Sequence, residues 1–249
     1  MKHLKRFFAE LLMVRMIRTA VGKLRFLYYA RILRHVRTRE SKDAIEHTVE
    51  HNLKAIAAFG LTRMDRLIKP VSVIESIGKD SKILVIGPRN EDDILNLIGN
   101  GFNSRNITGL DLISYSPFIE VGDMHETRFP DAYFDVIICG WTLSYSNQPA
   151  KWAQEMIRIT KDHGVVAIAV EYSTLTNEQA TKLHHGGYHL NPVNCERINS
   201  TGQILELFGE HVGAVFFNHD APNKISHGDQ LNNDVSSVVA IFSLKKAKA

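Results

Sequence analysis

A short apolar strand ending in a glycine turn constrains this chain most. Residues Lys82 to Glu91 read Lys-Ile-Leu-Val-Ile-Gly-Pro-Arg-Asn-Glu, and the apolar run 83–86 suits a strand that is covered on both faces. Gly87 allows close approach of the backbone, and the acidic residues 91–93 open an apolar segment with helical spacing. The stretch therefore predicts a strand, a turn and a helix, the opening of a nucleotide-binding unit.

Three later apolar segments also end in polar or small residues. Residues 107–112 contain Asp111, about twenty residues beyond Glu91, where a strand-end carboxylate can accept hydrogen bonds from both hydroxyls of a ribose. Residues 118–121 are followed by Gly122-Asp123-Met124, and residues 134–139 by Gly140-Trp141. Because ligands of open α/β sheets bind outside the carboxyl ends of the strands, we expect these ends to converge on one crevice.

The stretch from residue 122 carries the most specific motif. It reads Gly-Asp-Met-His-Glu-Thr-Arg-Phe-Pro-Asp-Ala-Tyr-Phe-Asp-Val-Ile-Ile and resembles the G-D-x-x-x-L-P-F-P-D-x-x-F-D-x-V segment of class I, Rossmann-like S-adenosylmethionine-dependent methyltransferases. Leu143-Ser144-Tyr145 and residues 161–166 are similar to two further steps of that family, and the resemblance covers residues 81–172 with a tail to Lys246. It implies a Rossmann-like α/β fold: a mostly parallel seven-stranded sheet, helices on both faces and an antiparallel C-terminal hairpin from residues 212–217 and 235–244.

The same resemblance implies S-adenosylmethionine as the cofactor. The positions that match its binding site are Gly87, Arg89, Asp111, Asp123, Met124, Gly140 and Trp141. Asp111 is expected to hold the ribose hydroxyls. Asp123 is expected either to accept from the adenine amino group or to position Met124 beside the ring.

Two departures from the family pattern affect this site. The acidic-x-Gly-x-Gly-x-Gly motif has Val85, Gly87, Arg89 and Glu91 at its four fixed positions, so only the first glycine is kept. Arg89 is expected to pair with the methionyl carboxylate of the cofactor, because guanidinium and carboxylate groups form bidentate pairs. Only eleven residues separate Asp111 from Asp123, too few for the usual helix, so residues 113–117 are expected to form a bare loop.

The implied reaction is methyl transfer to an oxygen of an acceptor, or less favourably to a nitrogen. Candidates for a base are Tyr145, Glu171, His184 and His185. The histidine-rich loop around residues 184–189 is not expected to bind metal, since no Cys or carboxylate lies nearby at ligand spacing. Two rival classes stay open. A nicotinamide-dependent oxidoreductase would need a Gly-x-Gly-x-x-Gly motif that is missing here, and an inactive methyltransferase-like binding module is favoured by the replaced glycines.

The chain divides into three predicted parts: a basic apolar helical arm at 1–40, a helical cap at 41–80 and a methyltransferase-like domain at 81–249. The arm holds eleven Lys and Arg against Glu10 and Glu40, a net charge of +9, whereas the remainder carries −6. Arg18 and Arg25 lie close to the row of large apolar residues on one face of the arm. A helix at a membrane interface tolerates this pattern, because long arginine side chains can extend their charged ends to the lipid headgroups. Packing on its own domain or on a second copy is an equal alternative, and a mitochondrial transit peptide is a weaker third.

These features set the expected partners and location. A basic apolar arm favours an anionic membrane surface over nucleic acid, and a small-molecule acceptor or a lipid-linked or cell-envelope glycan would suit a crevice near a bilayer. Cys139 and Cys195 have no metal-type spacing, and no apolar run reaches the roughly 18 residues of a membrane span. A cytoplasmic protein, peripheral at the inner face of a membrane and with a homodimer as one option, is the resulting expectation.

Five further elements are predicted around this framework. They are a helix over 41–59 capped by Ser41 and Asp43, a helix over 63–77 interrupted by Pro70, a helix from Pro149 that Gly164 ends, a strand over 165–170 and a helix over 200–208. Deleting residues 1–40 is expected to leave cofactor binding intact, because the predicted crevice begins after Lys82.

Overall fold

A central sheet of seven strands organises the computed structural model, which describes residues 2–172, 198–220 and 237–246. The strands are β2 (Ile83–Ile86), β3 (Ile107–Asp111), β5 (Ile119–Val121), β6 (Phe134–Gly140), β7 (Thr160–Glu171), β8 (Val212–His219) and β9 (Ser237–Leu244), and they lie in the order β5-β3-β2-β6-β7-β9-β8. The first five are parallel, while β9 runs antiparallel to both β7 and β8. This confirms the expected mostly parallel sheet with an antiparallel C-terminal hairpin.

Two apolar layers enclose the sheet because the side chains of each strand alternate between its faces. On β2, Ile83 and Val85 point into one layer and Leu84 and Ile86 into the other. The first layer is covered by α4 (Asp65–Val73) and α5 (Asp92–Gly99), and the second by α6 (Pro149–Ile159) and α7 (Thr201–Glu206). All four residues of β2 are buried, as predicted for a strand covered on both faces.

The N-terminal arm is helical and packs on α5. It consists of α1 (Lys2–Met13), α2 (Arg15–Phe26) and a π-helical segment (Leu27–Ile32). Glycines permit the close approach: a Cβ built on Gly99 would come within 2.9 Å of the backbone of Leu12, and one on Gly22 within 2.7 Å of the ring of Phe59. The arm thus packs on its own domain, one of the alternatives that its sequence left open.

Several element boundaries differ from the predictions for local reasons. The helix expected over 41–59 is only α3 (Thr48–Ala55), since Ser41 and Asp43 bind other parts of the chain. Pro70 lies inside a continuous α4 and does not interrupt it. The helix α6 ends at Ile159 rather than at Gly164, because β7 begins at Thr160.

The segment after Asp111 is not a bare loop. Residues Ile113–Ser114 form a short strand, β4, that pairs antiparallel with β1 (Arg37–Thr38) at the end of the arm. As expected, no helix lies in the described chain between Asp111 and Asp123. The end of the arm therefore supports the wall of the crevice that a helix would otherwise build.

Candidate functional site

The turn after β2 is held by the carboxylate at the end of β3. Gly87 has φ +67° and donates its N–H to the carbonyl of Leu110 at 2.8 Å. Arg89 has φ +55°, a left-handed conformation that L-residues rarely adopt, and its N–H donates to Oδ2 of Asp111 at 2.8 Å. Asp111 therefore fixes the turn in which Arg89 replaces the family's second glycine.

Asp111 is buried and keeps room for a ligand. Its Oδ1 accepts from the backbone N–H of Ile113 at 3.2 Å and from Nδ2 of Asn52 at 3.4 Å. Burial raises the pKa of the carboxyl, although backbone hydrogen bonds from Arg89 and Ile113 oppose that shift. A carboxylate offers about four acceptor positions, so Oδ2 can still accept a hydroxyl proton from a bound nucleoside.

A pocket of about 570 Å³ opens at the carboxyl ends of β2, β3, β5 and β6. This volume includes space at the mouth of the pocket that is open to solvent. All seven residues predicted from the resemblance line it: Gly87, Arg89, Asp111, Asp123, Met124, Gly140 and Trp141. Trp141 shares the left-handed conformation of Arg89, with φ +61°. The four strand ends thus converge on one crevice.

A second pocket of about 410 Å³ adjoins the first and shares Arg63, Gly87, Arg89 and Gly140 with it. Nε of Arg89 is buried and has no hydrogen-bond partner in the part of the chain that the structure describes, an uncommon state for a charged group. In the same pocket, burial and the neighbouring Asp92 raise the pKa of Asp93 to about 7. The junction of the pockets can therefore take a group with an anionic end.

Asp123 is engaged within the protein. Its Oδ1 accepts from Nδ1 of His125 at 2.6 Å, and its Oδ2 accepts from the hydroxyl of Ser41. Burial works against the carboxylate, but the hydrogen bonds from His125 and Ser41 outweigh it and lower the pKa of Asp123. Nε2 of His125 lies 2.7 Å from Oγ of Ser146, so a neutral ring that donates from Nδ1 accepts from this hydroxyl.

Both roles considered for Asp123 stay open in this arrangement. Its Oδ2 accepts one hydrogen bond, as the Oδ2 of Asp111 does, and the adjacent Met124 lines the pocket with its side chain 9 % exposed. Asp43, Asp123 and His125 bring potential metal-ligand atoms within 4.8 Å of one another. Lys151 already pairs with Asp43 at 2.7 Å, and Nδ1 of His125 already bonds to Asp123, so all three potential ligands have partners within the protein.

The four candidate bases fall in different places. Tyr145 lines the pocket, and its ring stacks on His51 with centroids 6.0 Å apart. Glu171 does not line it, but lies 3.9 Å from the guanidinium of Arg63, which does. His184 and His185 lie outside the described residues.

The third glycine position of the motif has a structural use. Glu91 is fully buried, and its carboxylate accepts two hydrogen bonds from Arg25 of the arm, at 2.5 and 3.0 Å, and one from Ser116 at 2.5 Å. Next to it, Asp92 pairs with the buried Arg18 at 3.2 Å. Both arginines that disturb the apolar stripe of the arm therefore face carboxylates beside the turn, and not lipid headgroups.

Sequence reasoning missed three further residues that line the pocket. Asn52 reaches Asp111 from α3, Thr142 places its side chain against Gly87, and Arg63 lies 5.0 Å over the ring of Trp141. None of them belongs to a motif, and Asn52 and Arg63 come from segments far from the strand ends. The position of Thr142 directly after Gly140-Trp141 was the one available signal.

Comparison with known proteins adds to this geometry. Residues 102–168 match the profile of a family described as a methyltransferase domain. No curated protein sequence matches the chain. Similar solved structures include a putative methyltransferase of Haloferax volcanii in complex with the Trm112 methyltransferase activator, which is 14 % identical, with 75 % of this chain and 92 % of that chain covered at a TM-score of 0.49.

Two further structures are similar at the same level. The YcgJ protein of Bacillus subtilis is 12 % identical, with 73 % of this chain and 98 % of that chain covered at a TM-score of 0.49. A SAM-dependent methyltransferase of Thermotoga maritima, described as a possible histamine N-methyltransferase, is 16 % identical, with 71 % and 88 % covered at a TM-score of 0.46.

The strand order and the match over residues 102–168 fit a class I, Rossmann-like methyltransferase domain. The methyltransferase domain implies S-adenosylmethionine as the cofactor. The pocket residues have donors and acceptors that fit that molecule: the carboxylate of Asp111 can accept from a ribose hydroxyl, and Nε of Arg89, which has no partner among the described residues, can donate to an anionic group.

Proposed function

We propose that this protein transfers a methyl group from S-adenosylmethionine to an oxygen, or less favourably a nitrogen, of an acceptor. The observation that carries the proposal is one pocket at the ends of four strands, lined by every residue that the family resemblance assigns to the cofactor. The bound cofactor supplies a methyl group on a sulfonium centre, so the protein's work is alignment and exclusion of water.

The chain's own groups have separate roles in this proposal. Asp111 accepts the ribose hydroxyls through Oδ2, while its bond to the N–H of Arg89 keeps the turn in place. Arg89 pairs with the methionyl carboxylate through its guanidinium. Met124 lies against the adenine, with Asp123 and His125 holding its backbone in position.

Tyr145 is the best placed of the candidate bases, because it lies on the pocket wall. In its phenolate form it would take the proton of an acceptor hydroxyl during methyl transfer. Glu171 would act indirectly, by orienting Arg63 at the junction of the two pockets. Replacing Tyr145 by Phe separates these roles, since it removes the hydroxyl and keeps the ring that stacks on His51.

The proposed class of acceptor rests on the basic and apolar residues of the N-terminal arm. A lipid-linked or cell-envelope glycan suits a protein whose arm is basic and apolar, and a peripheral position at the inner face of a membrane would bring such an acceptor to the crevice. Among the described residues, no helix is both long and apolar enough to cross a membrane. Mass spectrometry of envelope glycans and lipids from cells with and without the protein tests the acceptor class directly.

Calorimetry tests the cofactor assignment. Asp111→Asn removes the charge and leaves one acceptor oxygen where the N–H groups of Arg89 and Ile113 now bond to two. It should weaken binding of S-adenosylmethionine by about 1.5 to 3 kcal/mol, the range for hydrogen bonds to a charged group. Glu120→Gln, an exposed change of the same kind, is the control. Unchanged affinity in a folded Asp111→Asn protein would remove Asp111 from the site.

The rival classes of protein predict different results in the same calorimetric titration. Binding of a nicotinamide dinucleotide without binding of S-adenosylmethionine would establish the oxidoreductase. Binding of S-adenosylmethionine without release of S-adenosylhomocysteine in the presence of envelope extracts would favour the inactive binding module. The structural use of Glu91 weakens the argument for that module, because its replaced glycine now anchors the arm.

A further inference from the structure

The helix α2 and the π-helical segment after it have two different faces. The inner face holds Arg18, Gly22, Arg25 and Ala30, which are buried or partly buried against the domain. Its two arginines are fixed by the carboxylates of Asp92 and Glu91. This face is therefore docked, and the opposite face is held at a fixed orientation on the surface of the protein.

The outer face is defined here by Met16, Lys23, Leu24, Leu27, Tyr28, Arg31 and Ile32, which recur at helical spacing. Its apolar side chains are strongly exposed to solvent: Met16 is 80 % exposed, Leu24 66 % and Ile32 70 %. Eleven of the sixteen large apolar side chains that are exposed in the described chain lie between Phe7 and Val36, so the arm carries most of this surface. Such concentrated apolar exposure marks an interaction surface.

The charge of the outer face selects the kind of partner. Lys23 and Arg31 lie within it, Arg15 and Arg34 lie at its ends, and the sequence from 11 to 39 contains no Asp or Glu. A second copy of the arm would bring like charges together, which disfavours self-association through this face. Nucleic acid would neutralise the charges but would leave the leucine and isoleucine side chains without apolar contacts.

We propose that the outer face lies on an anionic lipid bilayer, with its apolar side chains in the headgroup region and its Lys and Arg side chains at the lipid phosphates. Interfacial helices with this composition bury their apolar face about 5–10 Å deep. Because a helix with its side chains is about 10–12 Å across, Glu91 would be held roughly one helix diameter from the lipid. This surface does not depend on the methyl-transfer proposal.

Deleting the arm is a poor test, since it would leave Glu91 and Asp92 buried without their partners. Flotation of the full chain with vesicles of phosphatidylcholine, with and without phosphatidylglycerol, is a better one. The wild type should float only with the anionic vesicles. Removing each charge by Lys23→Gln or Arg31→Gln should lower the partition coefficient about five-fold, the equivalent of about 1 kcal/mol per basic residue near such a surface.

Apolar variants and matched controls complete the test. Leu24→Gln and Ile32→Gln should each weaken flotation without changing the melting temperature, because both side chains are mostly exposed. Val73→Gln, which is 80 % exposed on α4, and Arg105→Gln, also exposed, are the controls and should float like the wild type. The proposal is wrong if the wild type does not float with anionic vesicles, or if the controls weaken flotation as much as the outer-face variants do.

Two other outcomes would name a different occupant and also overturn the proposal. Light scattering that shows a dimer lost in Leu24→Gln would assign the face to a second copy. Binding of a nucleic acid, lost in Lys23→Gln but not in Leu24→Gln, would assign it to phosphate recognition alone. Molar salt should weaken flotation, because it shortens the screening length to about 3 Å.

Discussion

Removing the charge of Arg25 should destabilise the protein more than removing that of Glu91, although both changes break the same ion pair. The Glu91 side chain has no exposed area, whereas the Arg25 side chain is 30 % exposed. In Arg25→Met, the Glu91 carboxylate stays buried with Ser116 as its remaining partner. In Glu91→Gln, Arg25 can reach water, and the amide oxygen can still accept a hydrogen bond.

The magnitude follows from this asymmetry. Leaving a buried charge without its partner costs about 3–5 kcal/mol, and the bond from Ser116 places Arg25→Met near the lower end. Loss of a hydrogen bond to a charged group, about 1.5–3 kcal/mol, is the expected cost of Glu91→Gln. For a protein of this size each kcal/mol shifts the melting temperature by about 2–4 °C, so Arg25→Met should melt about 6–12 °C lower than the wild type.

Urea unfolding of the two single variants and the double variant is the assay. The double variant should lose less than the sum of the single losses, because neither charge is then left alone. Lys54→Met is a matched control, since Lys54 pairs with Glu50 on the protein surface at 2.7 Å. Equal losses from Arg25→Met and Glu91→Gln, or a strictly additive double variant, would refute the reasoning.

Two further predictions concern pH. Burial and Asp92 raise the pKa of Asp93 to about 7, so the folded state holds a proton that the unfolded state releases near pH 4. The contribution of Asp93 to stability should therefore fall as pH rises from about 4 to about 7 and level off above. Asp93→Asn should make the decline smaller in a series of thermal melts without removing it, because the raised pKa of Asp111 contributes a decline of the same sign. His125 and Ser41, against the effect of burial, lower the pKa of Asp123. The stability that this carboxylate contributes is present above its unfolded pKa of about 3.9 and is lost only in stronger acid. Asp123→Asn should therefore melt below the wild type at neutral pH, and the gap should close in acid.

The sheet could be predicted because each of its strands can be recognised from the local sequence. Ile83 to Ile86 is a continuous apolar run, and each of the four strands at the crevice is followed by a residue typical of a ligand-binding edge. Parallel strands end at one edge of a sheet, so chain order alone brought Asp111 and Asp123 together. All seven positions line the pocket, and their roles toward a cofactor stay predictions.

The inner face of the arm could not be predicted, because its partners are distant in sequence. Arg18 and Arg25 looked like snorkelling side chains on an interfacial helix, but their carboxylate partners lie 74 and 66 residues away. Ser41 similarly looked like a helix cap, while its hydroxyl donates to Asp123, 82 residues further along. Local periodicity cannot separate a charged side chain that reaches lipid from one that reaches a buried carboxylate.

The altered glycine motif and the arm with its arginines depend on each other, because each supplies the charged partner of the other. A glycine at position 91 would leave Arg25 without its carboxylate, and a chain without the arm would leave Glu91 buried and unpaired. Glu91 directly follows Arg89 and Asn90. The same short turn therefore contains the Glu91 carboxylate, which binds the arm, and Arg89, the proposed contact to the cofactor. Any force that moves α2, including insertion of its outer face into lipid, therefore acts within two residues of Arg89. Loss of the glycines is thus consistent with a site that has gained a support from the arm, and it is not by itself a sign of lost function.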